Sequence, residues 1–190
     1  MSRSPVTVRA AEPRDVAALR EVWQDALRRT TADEQRADVA KVLAEVVGAG
    51  DKMIAVAEYD GVVAGAVFLE ATTLTPLNLE QSVLAVSPHV LPQFRRKGVG
   101  SALFEAAVRF AEQRGIPHVT TAATAESRDA NRFMARLSLS PQATLRVGAT
   151  SAVRARLTSR RPANGSAAAS SRQIDRVLAA RRFRKERIPG

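Results

Sequence analysis

The chain has no cysteine, only two histidines, and one residue each of tryptophan and tyrosine among 190 positions. Without cysteine there can be no disulfide, thiolate metal site or sulfur nucleophile. His89 and His118 are too few for a histidine-rich metal cluster, and a Ser-His-Asp triad would have to use one of them. Aromatic residues make up 4% of the chain, so Ala, Val and Leu must build any core. No stretch approaches the roughly 20 apolar residues that span a bilayer, and Met1–Arg9 lacks the apolar run of a leader. These features lead us to expect a soluble, cytoplasmic protein with no bound metal.

Basic residues are plentiful but unevenly placed. The net charge is +10. Residues 159–190 carry nine basic side chains against two acidic ones, and residues 1–158 carry twenty against seventeen. The excess therefore sits in a C-terminal tail. Residues 159–170 read as a Ser/Ala/Gly/Pro linker. Residues 171–190 read as a basic, part-helical tail with Ile174, Val177 and Leu178 as a narrow apolar stripe. Such a tail attracts phosphate regardless of sequence, which opens a nucleic acid or an acidic protein surface as a partner. Phe183 alone offers base stacking there, and the solvated-arm alternative stands beside it.

Residues 1–158 read as one mixed α/β domain. Val6–Arg9 alternates like a short strand. Glu12-Pro13-Arg14-Asp15 opens a helix carrying Val16, Leu19, Val22 and Trp23. A second helix starts near Thr31 and stops at Gly48 and Gly50. Met53–Glu58 and Val62–Leu69 flank Asp60-Gly61, the signature of a tight hairpin. Gln81–Val90 is a long strand in which Pro88 cannot donate to a ladder, so a bulge is expected there. Gly98–Arg114 is an amphipathic helix, His118–Ala122 a strand, and Ser127 the cap of a further helix. Ala143–Val147 and Ala152–Leu157 are read as two weaker strands.

The segment with chemical content is Val90-Leu91-Pro92-Gln93-Phe94-Arg95-Arg96-Lys97-Gly98-Val99-Gly100-Ser101. It joins a strand to a helix, where free amides and the positive helix end form an anion site. Glycine there lets backbone approach a phosphate, and Arg95, Arg96 and Lys97 add cationic donors. The spacing fits neither a Walker A loop nor a dinucleotide fingerprint. On these residues alone, Gly98 and Gly100 serve equally well to tighten a turn.

With the element order, this segment resembles the GNAT family of acetyl-CoA-dependent N-acetyltransferases over roughly residues 5–157. The family pattern Arg/Gln-x-x-Gly-x-Gly/Ala is met by Arg95-x-x-Gly98-x-Gly100, preceded by Val90-Leu91-Pro92. The resemblance implies a largely antiparallel central sheet with splayed central strands. It also implies that acetyl-CoA is the co-substrate, with its pyrophosphate on the amides and side chains of Arg95, Arg96, Lys97, Gly98, Val99, Gly100 and Ser101. The pantetheine arm would run along Val90, within reach of Ser127. An aspartate at Gly100 is expected to abolish binding with little effect on folding.

The chain departs from the family on the last helix. The family's Asn-x-x-Ala-x-x-x-Tyr-x-x-x-Gly-Phe is here Ser127-x-x-Ala130-x-x-x-Met134-x-x-x-Ser138-Leu139. Met134 cannot act as the acid that tyrosine supplies. A thiolate of ordinary basicity, with a conjugate-acid pKa near 8.5, can leave with a proton from solvent. The base matters more, because an alkylamine is neutral to only about one part in a thousand at pH 7. Glu70, Glu80 and His89 are the candidates, each of which could equally be a surface charge or a satisfied side chain. His89 alternates with Val83, Ala85 and Ser87, opposite Leu84 and Val86. The implied activity is acetyl transfer to a primary amine by a monomer or homodimer. The alternatives are an acyl-CoA sensor that lacks turnover and a nucleic-acid-associated protein.

Overall fold

The computed structural model describes residues 6–122, 127–143 and 146–159. The chain divides into two compact units, residues 1–140 and 141–190. The first contains strand β1 (Val6–Ala10), a 3₁₀ turn (Pro13–Asp15), helices α1 (Val16–Val22) and α2 (Ala32–Val46), and the meander β2 (Lys52–Tyr59), β3 (Val62–Thr73) and β4 (Gln81–Val90). Helix α3 (Val99–Glu112), strand β5 (His118–Thr121) and helix α4 (Arg128–Arg136) complete it. The sheet runs β1-β2-β3-β4-β5, antiparallel except for the β4–β5 pair. This is the mixed, largely antiparallel α/β architecture expected.

Local chemistry accounts for the elements. Asp60 and Gly61 have φ of 52° and 73°, as the two-residue hairpin requires. The Thr31 hydroxyl caps α2 by accepting from Glu34 N at 3.3 Å, and Gly48 turns the chain beyond it at φ 85°. On β2, Ile54 and Val56 join a core with Leu19, Val22, Trp23, Val39 and Leu43 of the α1–α2 side. Ala55 and Ala57 face the other way, into a core with Leu103, Ala107 and Phe110 of α3. The period of two thus divides one strand between two cores. Small residues Ala55, Ala57, Ala64 and Ala85 on the sheet let α3 close on it, and the bulk comes from α3 together with Val67, Leu69 and Val83. Each fully buried Leu or Phe there contributes about 1.5–3 kcal/mol.

One buried charge network ties the first elements to the sheet. The Arg9 guanidinium donates to both Asp15 oxygens, at 2.6 and 2.8 Å, and to Glu58 at 2.8 Å. Asp15 also accepts from Glu12 N at 2.7 Å, and its side chain is 5% exposed. The bond from Arg9 holds its carboxyl below the usual range, against the cost of burial. A depressed folded value means the stability is fully present at neutral pH and fades as pH falls below about 4. Asp15→Asn is expected to cost about 2–4 kcal/mol at pH 7. The cost should shrink toward pH 3, which urea titrations at the two pH values would measure.

The end of the chain differs from its sequence reading. Residues 150–159 form helix α5 (Thr150–Ser159) in the second unit, not a strand. Ala, Arg and Leu are good helix formers, and Val153 and Leu157 share a face at i, i+4 spacing. That periodicity outweighs the short alternation from Ala152 to Leu157. Ala143, Arg146 and Val147 are also outside any strand, while 144 and 145 lie outside the described residues. The linker beyond residue 159 and the basic tail at 171–190 likewise lie outside the described residues. No helix among the described residues is long and apolar enough to cross a membrane.

Candidate active site

The site is built where β4 loses its regular pairing. Up to Val86 it pairs with β3 in step, with Phe68 opposite Val86; then Ala66 lies opposite His89. One residue is therefore extra on β4, and Ser87 within this bulge has φ 46°. Pro88 follows, with no N–H to offer a ladder. On the other edge, β5 pairs only with Ser82–Ala85. From Val86 to Val90, β4 has no β5 partner, because β5 ends at Thr121, opposite Ala85.

The bulge also changes which way His89 faces. By simple alternation His89 belongs with Val83 and Ala85. The extra residue shifts the phase, and His89 lies opposite Ala66, whose neighbours are the α1–α2 core. His89 therefore shares a face with Val86 and Leu84, a correction to the strict period of two. Burial pushes its imidazole below the ordinary value; Arg95 adds to this and Asp25 opposes it. Neutral imidazole is thus the favoured form near pH 7.

Beyond Val90 the chain turns through Pro92–Phe94 into α3. Arg96 and Gly98 both have positive φ, 60° and 87°. Alternation of left- and right-handed backbone curls successive N–H groups into a concave nest. The first helical hydrogen bond runs from Ala102 N to Gly98 O at 3.0 Å. The amides of Val99, Gly100 and Ser101 precede that bond and are available to an anion at the positive helix end. A Cβ at Gly98 would meet nothing within 4 Å, so glycine is needed there for its conformation.

Gly100 plays a different part. A Cβ on it would meet the Phe133 ring of α4 at 3.4 Å, and Phe133 packs edge-on against Phe104 at 5.7 Å. A Cβ there is in ordinary contact with the ring, and the carboxylate of an aspartate would extend beyond it beside the α3–α4 packing. Met134 is buried and Ser127 takes the N-cap position of α4, without a capping bond from its hydroxyl. Ser138 adopts φ 61° where the family pattern has glycine.

Two other side chains stand apart from their simplest reading. The Lys97 ammonium lies over the Tyr59 ring at 4.7 Å and the Phe94 ring at 5.4 Å, so it is engaged by aromatic faces beside the nest. Glu80 precedes β4 and pairs with His118 at 2.7 Å. β4 separates it from His89 by roughly 30 Å of strand. Glu70 lies across from Leu84 and pairs with Lys52 at 3.5 Å. The three base candidates are therefore not brought together, and His89 alone sits at the bulge.

Sequence reasoning did not find Trp23 or Ser87 as part of this region. Trp23, at the end of α1 and 8% exposed, donates its Nε1–H to the Ser87 carbonyl at 2.9 Å. The only available signal was a lone tryptophan in an aromatic-poor chain.

Known proteins match this arrangement. The family model for the acetyltransferase (GNAT) family covers residues 16–138. The structure is similar to a transcriptional regulator from Bacillus halodurans, at 17% identity and TM-score 0.66, covering 76% of this chain and all of that one. It is also similar to glucosamine-6-phosphate N-acetyltransferase from Arabidopsis thaliana, at 16% identity and TM-score 0.62, covering 77% and 99%. An aminoglycoside N-acetyltransferase in complex with CoA aligns at 18% identity and TM-score 0.64, covering 77% and 95%. No curated protein matches the chain by sequence. Identities this low carry the fold alone, but the family model spans well over half of the chain, and on that ground the chain belongs to the GNAT family of acetyltransferases.

Proposed function

We propose that this protein transfers the acetyl group of acetyl-CoA to a primary amine. The observation that carries the reading is the joint placement of the left-handed turn at Arg96 and Gly98, which opens α3, and of the bulged β4 stretch Val86–Val90, which has no partner in β5. The nest amides, with Arg95 and Arg96, would hold the pyrophosphate. The backbone of β4 near Val90, which has no partner in β5, would hold the pantetheine arm, and Ser127 is a second candidate for that role. Acetyl-CoA supplies the activated acetyl group as a thioester.

The protein's own task is to handle protons and charge. Attack needs a neutral amine. His89, kept neutral by burial, can take a proton from the incoming ammonium directly or through one water. A strand amide near Val90 can donate to the oxygen that gains charge. Met134 cannot donate a proton, so solvent supplies the one that the departing sulfur needs. The acceptor could be a small molecule or a protein amine; similar structures include an aminoglycoside and a sugar-phosphate acetyltransferase.

His89→Gln is expected to lower kcat/KM by about 100-fold. The wild-type rate should hold down to below pH 6.5, because the imidazole is depressed, and then fall as it protonates. The variant should lose that acid limb in a pH–rate profile. The overall reading is tested by calorimetric titration with acetyl-CoA, followed by mass spectrometry of an amine and peptide panel. Binding with transfer supports it. Binding with no transfer to any amine would favour the acyl-CoA sensor, the reading suggested by Met134 at the tyrosine position.

A further inference from the structure

We propose that Trp23 is a positioning residue that sets the shape of the β4 bulge, and through it the seat of the acyl group; the inference rests on the acetyl-CoA reading above. Three observations converge. Ser87 holds a left-handed backbone at φ 46°, a conformation that persists in a non-glycine residue only when its surroundings enforce it. The ladder gives little help, because the extra residue of a bulge falls out of register and Pro88 has no N–H. Val67 correspondingly has no β4 partner in the register between Ala66 and Phe68. The Trp23 Nε1–H supplies the missing tie, at 2.9 Å to the Ser87 carbonyl.

The indole is well placed to act as a fixed post. Trp23 is 8% exposed and packs in the core of the α1–α2 side. Its backbone is anchored by its own N–H to Leu19 O at 3.0 Å. On the far side of the bulge, Leu91 N is tied to Ala64 O at 2.9 Å. The bulge is thus held at both ends, by a side chain from α1 and by the backbone of β3. The pyrophosphate nest lies beyond the second tie, so releasing the first should alter the acyl end of the site and leave the nest in place.

Trp23→Phe keeps an aromatic ring and removes the donor along with part of the indole's bulk, a loss of packing that the histidine variant below controls for. Calorimetry on the full chain should give a CoA dissociation constant within about threefold of wild type, while any preference for acetyl-CoA over CoA disappears. With an amine that the wild type acetylates, kcat should fall at least tenfold with KM for the amine little changed. Trp23→His, a smaller ring that retains an N–H, should recover part of kcat; a purely packing role would make it the worse of the two. Trp23 is the only tryptophan, so wild-type emission should shift on saturation with acetyl-CoA even if both variants fold poorly. Equal losses for CoA, acetyl-CoA and melting temperature, or a silent emission, would overturn the assignment. Failure of the wild type to bind acetyl-CoA would instead bring down the functional reading itself.

Discussion

Gly98→Asp is expected to weaken acetyl-CoA binding by at least about two orders of magnitude while the protein stays folded. Gly98 sits at φ 87° and ψ −7° as the N-cap of α3. A side chain there costs about 1 kcal/mol in backbone conformation alone. The site has room for the new atoms, since nothing lies within 4 Å of the Cβ direction. The fold should therefore tolerate the change. The anion nest should not, because a carboxylate would occupy the ground that a diphosphate needs and would turn a charge-assisted contact into a repulsion. The loss of about 3 kcal/mol corresponds to the hundredfold weakening. Calorimetric titration paired with a thermal melt gives both quantities. Tight binding by this variant would mean that the pyrophosphate is held elsewhere. Gly98→Ala separates the two effects, since it keeps the conformational cost and omits the charge; it should lose about tenfold.

Gly65→Ala should be the most damaging single-methyl change in the molecule. Gly65 lies on β3 opposite Val90. A Cβ built there would come within 2.5 Å of the His89 carbonyl oxygen, 3.2 Å of Val99 Cγ1 and 3.3 Å of Val90 Cα. Two of these neighbours are backbone, and the third is a fully buried side chain at the start of α3. None can swing aside cheaply, so β3 and β4 must part or α3 must shift. We expect a loss of about 3 kcal/mol or more, seen as a fall in melting temperature of roughly 10 °C. Gly61→Ala is the control. It also changes a glycine of the sheet region, but its Cβ would meet open space at φ 73°, and about 1 kcal/mol is the most it should cost. A mild Gly65→Ala would show that the β3–β4 approach has slack the structure does not display.

Sequence alone revealed much of this because many signals are local. Asp60-Gly61 specifies a hairpin by the conformations it permits, and the 3.6 periodicity of Val99, Leu103, Ala107 and Phe110 specifies a buried helix. Gly98 between a strand and that helix pointed to the tight turn that the structure shows there, with Gly98 left-handed at the N-cap. What stayed hidden depends on distant partners or on counting. Pro88 announced a bulge, but not that the extra residue would carry His89 to the opposite face. Glu80 lies just before β4 and His89 near its far end, nine positions on, and only an extended backbone shows how far that separates them. That the Lys97 ammonium also lies over the Tyr59 ring could not be read from the sequence, because the fold brings Tyr59 in from the β2 hairpin. Trp23 and Ser87 are 64 positions apart, and nothing local links an indole to a backbone carbonyl. For α5 the pattern was weak in either period, and helix propensity decided it.

Among the described residues the sheet is open, and its two rims are the short strands β1 and β5, of five and four residues. A rim strand offers unpaired backbone to any other chain that meets it, and long flat rims seed fibrils. Here each rim ends before it could template more than a few ladder bonds. Arg9 places a charge on one of them, and Glu80 lies beside His118 on the other. The same brevity leaves little edge for misassembly, so concentrated solutions of this protein should resist fibrillation even though β2 and β3 carry the apolar runs Met53–Ala57 and Val62–Leu69.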